Sequence, residues 1–145
     1  MGREGEVVFD ASGKVLGRLS SLVAKRLLEG QRVTVINAEK AVVTGERRRL
    51  IRDYMTRLEI KGRVHPRHTP AHPRQPDTLL RRGVRGMLPR RKSSGLAAYR
   101  RLRVYVGTPS QETATAEQAE EALYRSRRKR SMTLGELCRE MGWRG

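Results

Sequence analysis

Val33-Thr34-Val35-Ile36 is an unbroken β-branched run. A run of that kind suits a strand covered on both faces, as strands inside parallel sheets are. What precedes it fits that position. Val15, Leu16, Leu19, Leu22, Val23 and Leu27 recur at helical spacing, and Gly30 follows as a C-terminal stop. Ahead of them, Glu6 to Phe9 is a short β-prone run that ends at Asp10 and the turn residues Ser12 and Gly13. Strand, helix and strand in this order predict a right-handed βαβ unit with parallel pairing. Lys14, Arg18, Ser21 and Lys25 fall on the polar side of the predicted helix.

Further along, Thr44 is a candidate cap for a second helix, whose apolar stripe is Leu50, Ile51, Tyr54, Met55 and Leu58. That helix opens on Arg47-Arg48-Arg49 with Arg52, cations at the end where the macrodipole disfavours them. Either an external anion or plain solvation accounts for them. Pro66, Pro70, Pro73 and Pro76 then break both helix and sheet ladders, so residues 62–76 read as an extended loop. Asp77 is a candidate cap for a short helix containing Leu79, Leu80 and Val84, and Pro89 ends it. Leu102 to Val106 reads as another strand. Ala116, Ala119, Ala122 and Leu123 suggest a helix with a small-residue face. Thr133 and Glu136 form a capping box ahead of Leu134, Leu137, Cys138 and Met141, and Trp143 anchors that last helix.

Charge is where the chain departs from an ordinary domain. Its 145 residues carry 32 basic and 15 acidic groups, a net of +17. A free globular protein gains nothing from such self-repulsion, whereas a phosphate backbone supplies the counter-charge. Residues 60–110 hold 13 of the basic groups against the single acid Asp77. Solvated helical faces interleave signs, and this segment does not. It is read as an ordered segment that threads into RNA, in preference to a disordered basic linker.

The sequence offers little for catalysis. Gly13-Lys14 is followed by Val15, and Val8 stands where a phosphate-binding loop needs its first glycine. No dinucleotide fingerprint follows the first strand, and the carboxylates form no evident pair. His65, His68 and His72 lie among prolines with no cysteine nearby, which disfavours a closed metal site and favours contacts to RNA. Gly83-Val84-Arg85-Gly86 has the GXXG form of a KH loop, but Met87-Leu88-Pro89 interrupts the helix that should follow. A close glycine approach of backbone to RNA is the better reading. The lone Cys138 has no disulfide partner, and it and Trp143 read as packing residues. The first ten residues contain no apolar core for a secretory signal, and no stretch approaches a membrane span. The expectation is a soluble cytoplasmic protein without cofactor, metal or small-molecule substrate.

Several spaced motifs carry a resemblance. Asp10-Ala11, Gly17-Arg18-Leu19-Ser20, Val23-Ala24-Lys25, Leu27-Leu28-Glu29-Gly30, Asn37-Ala38-Glu39-Lys40 and Thr44-Gly45 lead to Val84-Arg85-Gly86-Met87-Leu88-Pro89, then Gly95, Ala98, Leu102, Val104, Tyr105 and Gly107. Over residues 6–110 the chain resembles the universal large-subunit ribosomal protein thirteen family. The helix near residues 46–58 and the C-terminal extension look like its archaeal and eukaryotic branch.

The resemblance implies an α/β fold, three-layer α/β/α around a small, mostly parallel sheet of about four strands. It adds an extended basic loop and a helical C-terminal extension. It implies one domain: a βαβα body over residues 1–59, a basic RNA-binding loop with short helices over 60–100, and a last strand with the helical extension over 101–145. It also implies a structural constituent of the large subunit that binds large-subunit rRNA, supports assembly and is no enzyme. RNA contact is carried onto Lys14 and Arg18, onto Lys61, Arg63, His65, Arg67, His68 and Arg74, and onto Arg81, Arg82, Arg85, Gly86, Arg90, Arg91 and Lys92. Beyond residue 110 the partner stays open between a neighbouring ribosomal protein and further rRNA. An off-ribosome RNA-binding regulator and an RNA-modifying enzyme are the rival readings.

Overall fold

The computed structural model describes residues 6–109, the backbone of 116–117, and residues 130–145. Strand β1 (Glu6–Asp10) leads into helix α1 (Leu16–Leu28), which returns the chain to strand β2 (Arg32–Ile36). Glu29 ends α1 and Gly30 turns the chain at φ 92°, a left-handed conformation that glycine adopts without penalty. Strand β3 (Val42–Thr44) and helix α2 (Arg47–Glu59) follow. After the proline-rich loop come helix α3 (Pro76–Met87), helix α4 (Ser93–Arg100) and strand β4 (Leu102–Val104). Strands β5 (Ala116–Glu117) and β6 (Ser131–Thr133) and helix α5 (Leu134–Glu140) complete the described elements.

The main sheet has the order β4-β2-β1-β5, and every pairing in it is parallel. Strand β2 is interior, as its β-branched run predicted. Register places Val7 and Phe9 beside Val33 and Val35, which lie beside Leu102 and Val104. That face packs on Leu19, Val23 and Leu27 of α1 and on Leu80 and Val84 of α3, all fully buried. Burying one such leucine is worth about 2 kcal/mol. On the other face Val8, Thr34 and Ile36 are buried outside that core cluster, so the sheet is covered on both sides. The α/β class and the small, mostly parallel sheet are as expected. A separate antiparallel pair, β3 with β6, ties the C-terminal segment to the body, and the Leu134 N–H donates to the Ala41 carbonyl at 2.7 Å.

Several local expectations need correction. Helix α2 begins at Arg47 with Glu46 at its cap position, so Thr44 is the end of β3 and not a cap. Helix α3 begins at Pro76, which needs no N–H in a first turn, leaving Asp77 inside the helix rather than before it. It runs through Gly83 and Gly86 to Met87. Ala116 pairs as a strand beside Val8 where its spacing suggested a helix; Ala119, Ala122 and Leu123 lie outside the described residues. The basic start of α2 is answered internally in part, since Arg47 pairs with Glu136 at 3.8 Å and Glu140 at 3.5 Å of α5. The capping box holds: Thr133 Oγ1 accepts from the Glu136 N–H at 3.3 Å, and Glu136 Oε2 accepts from the Thr133 N–H at 3.4 Å.

Candidate nucleic-acid interface

Helix α3 is the scaffold of the basic surface. Its inner stripe, Leu80 and Val84, seats it on α1, and Gly83 lets the two helices approach closely. A Cβ at Gly83 would sit 3.2 Å from Ser20 Oγ. This corrects the GXXG reading: Gly83 faces α1, whereas Gly86 is exposed with open space beside it. The outer stripe then falls to Arg81 and Arg82, both exposed, and Arg85, half-buried.

Two of these arginines are oriented by a neighbour, and the third lies at the meeting of two clefts. The Arg81 guanidinium lies over the Tyr99 ring at 5.5 Å. Arg82 Nη1 donates to the Ala71 carbonyl at 2.6 Å, fastening the proline-rich loop to α3. Arg85 lines two clefts. One, of about 350 Å³, is shared with Leu88, Arg90, Arg91, Gly95, Leu96 and Tyr99. The other, of about 250 Å³, is shared with Ala71, His72, Pro73, Thr78, Arg82 and Tyr99. Gly95 holds the first in shape, because a Cβ there would run into the Pro89 carbonyl. Arg90, Arg91 and Lys92 are exposed on the turn between α3 and α4.

The loop contributes differently along its length. Its base is closed by His72 Nε2 against the Ile60 carbonyl at 2.8 Å, and by the Gly62 N–H donating to Thr69 Oγ1 at 3.3 Å. His65 Nδ1 accepts from the Arg67 N–H at 3.1 Å, and the His65 and His68 rings are 5.7 Å apart. Lys61, Arg63, Arg67 and His68 are exposed and line neither cleft. Arg74 is exposed but donates from Nη1 to the Met141 carbonyl at 3.2 Å, so part of its role is to hold the end of α5. Among the described residues no group of three His, Cys, Asp or Glu is placed to hold a metal ion, and no helix is long and apolar enough to cross a membrane.

On α1 the expected pair separates. Arg18 is exposed, but Lys14 precedes the helix and is only 5% exposed. The chain crosses there between β1 and α1, with the Lys14 carbonyl bonded to the Val42 N–H at 2.8 Å. The lysine charge bears on Asp10. Burial alone would push that carboxyl up, but bonds from Ser12 and Asn37 and the nearby Lys14 leave it below its ordinary range. Lys14 is therefore part of the body, and no helical face joins it to Arg18.

The sequence reading did not single out Tyr99 and Leu96; their signal was the three-residue spacing that puts both on one side of α4. It also left Arg32, Arg100, Arg101 and Arg103 unassigned. With Glu6 and Thr34 these line a further cleft of about 240 Å³ that spans β1, β2 and β4. Across the described residues, every ion pair lies outside residues 60–110: Arg26 with Glu29, Arg47 with Glu136 and Glu140, Arg49 with Asp53, and Arg130 with Glu46. The basic groups of the loop, α3 and the following turn meet no carboxylate of the described residues within 4.0 Å.

Such a scaffold and surface define a class: small basic α/β proteins that display charge on one segment instead of neutralising it within the fold. The model of the family described as ribosomal protein L13 matches residues 4–111. Large ribosomal subunit protein uL13 of Archaeoglobus fulgidus is 45% identical over 141 residues, covering 95% of this chain and 88% of its own. The proteins of the same name from Methanopyrus kandleri and Aeropyrum pernix are 44% and 41% identical, covering 94% and 99% of this chain and 86% and 94% of their own. The chain belongs to the ribosomal protein L13 family, a family of ribosomal structural proteins and not of enzymes.

Proposed function

We propose that the chain is a structural constituent of the large ribosomal subunit that binds large-subunit rRNA directly and supports assembly of that subunit. One observation carries the RNA contact. Arg81 and Arg82 of α3 are held in position by neutral groups, and among the described residues no carboxylate lies within ion-pairing distance of the basic groups of α3 and the following turn. Unpaired charge held in fixed geometry is what a phosphate backbone needs to be located on a protein surface. The names of the relatives support the ribosomal setting. Residues 60–100 are the RNA-facing part of a single unit, with Arg18 beside them and the remainder as its body. In this role the protein is cytoplasmic, bound to ribosomes and adjacent to other large-subunit proteins.

Sedimentation of a cell extract tests the setting: nearly all of the chain co-migrates with large subunits, and a mainly free pool would overturn the structural role. Charge reversal at Arg90 and Arg91 together tests the contact. Both are exposed, so the thermal melt of the free protein stays within about 0.5 kcal/mol of wild type. Affinity for large-subunit rRNA falls at least tenfold; an unchanged affinity at physiological salt would sink the assignment.

A further inference from the structure

The cleft between α3 and α4 is not built like a site for phosphate alone. Arginines rim it, yet Leu88 and Leu96 line it, and Leu96 is left 53% exposed on a helix whose buried residues are Gly95 and Ala98. Tyr99 stands half-buried at the junction of this cleft and its neighbour, lining both. Apolar lining, an aromatic ring and flanking guanidinium groups are the three components that hold an unstacked base with its backbone. Its volume of about 350 Å³ lies in the range of small-ligand pockets. The cleft is also formed in advance. Gly95 closes α4 onto Pro89, Arg81 lies over the Tyr99 ring, and Arg82 secures the loop along the adjoining cleft.

We propose that this cleft receives an unpaired nucleobase of the RNA, stacked on Tyr99, with Arg90 and Arg91 on its flanking phosphates. The proposal rests on the RNA-binding reading above and deepens it: the RNA feature recognised here is a bulged or looped-out nucleotide, not a continuous helix. Selectivity for such a nucleotide comes from the apolar cleft, and the arginines add affinity without regard to sequence.

Two hairpin RNAs of the same stem test it, one fully paired and one carrying a single bulged 2-aminopurine. The wild-type chain binds the bulged hairpin at least about fivefold more tightly, the lower end of what stacking on an aromatic ring contributes. The fluorescence of the 2-aminopurine changes on binding. Tyr99→Leu removes the preference, lowering affinity for the bulged hairpin at least about fivefold more than for the paired one. The slopes of log affinity against log salt for the two hairpins stay equal to each other, because stacking releases no counterions. Tyr99→Phe keeps the preference. Arg90→Ala with Arg91→Ala lowers the salt slope for both hairpins. Equal wild-type affinity for the two hairpins overturns the proposal even if Tyr99→Leu fails to fold. So does binding of the bulged hairpin with unchanged fluorescence, which would leave the cleft to a protein side chain. Failure of the wild type to bind either hairpin at 50 mM salt would instead overturn the RNA-binding reading itself.

Discussion

Asp10 shows how a single side chain fixes the end of the sheet. Its Oδ1 accepts from the Ser12 N–H at 2.9 Å and from Asn37 Nδ2 at 3.2 Å, and Asn37, held at φ 55°, accepts in turn from Thr108 Oγ1 at 3.0 Å. The ends of β1 and β2 and the segment after β4 are thus joined through one ionised carboxylate. Because the folded pKa lies below the ordinary value, the stability this charge contributes is complete above the unfolded pKa of about 3.9 and is lost as pH falls through the folded one. Asp10→Asn accordingly destabilises the protein by about 1 kcal/mol at pH 7, the margin of charged over neutral hydrogen bonds. Thermal melts from pH 7 downward check this: the gap to wild type closes at acid pH, and a constant gap would remove the charge from the account. Cys138 makes the opposite case. It is fully buried in α5, and burial, with the Asp77 charge behind it, raises its thiol to about 12. The native protein therefore reacts with iodoacetamide at pH 8 far more slowly than the denatured chain; equal rates would mean that α5 opens freely. Cys138 as a packing residue was legible from its apolar neighbours. Lys14 was not, because a lysine at helical offset from Arg18 looks the same whether the helix includes it or begins two residues later.

Among the elements, those specified by their own residues were the ones the sequence disclosed. The spacing of α1, the β-branched run of β2 and the capping box of α5 are each contained within a few turns or a few residues. Thr133→Ala should cost about 1 kcal/mol, since it leaves the Glu136 N–H without its side-chain acceptor. That corresponds to a fall of about 3 °C in melting temperature, measurable by circular dichroism. Elements that depend on distant partners were less legible. Helix α3 carries two glycines, and its length rests on close packing with α1 at Ser20, which no local window contains. Ala116 has the propensity of a helix former, but the available position beside β1 makes it a strand. Gly95→Ala is the strongest element-scale test. A methyl group there cannot coexist with the Pro89 carbonyl, so α4 must shift outward, and the melting temperature falls by more than that of Thr133→Ala. A neutral result would show that the α3–α4 turn yields at little cost.

At the scale of the whole molecule the governing fact is a net charge of +17 that the fold does not neutralise. The segregation of that charge into residues 60–110 could be counted in the sequence, so the region of the proposed interface was legible. Its two clefts were not, because Arg85 and Tyr99 meet only once α3 and α4 have packed. The same charge predicts opposite salt responses for the free and bound protein. In the free chain the ion pairs of the described residues are all solvent-exposed, and such pairs contribute little, so their screening costs little. Repulsion among the unpaired arginines is also screened once the Debye length falls to about 8 Å near 0.15 M. Its loss favours the compact state. The melting temperature of the free protein should therefore rise as salt increases from about 50 to 200 mM. Over the same interval affinity for large-subunit rRNA should fall by about a thousandfold if about six phosphates are contacted. A free protein whose melting temperature fell with salt would show that attractive pairs outweigh the repulsion. An rRNA affinity that stayed flat would mean that the arginines of α3 and its turn meet something other than phosphate.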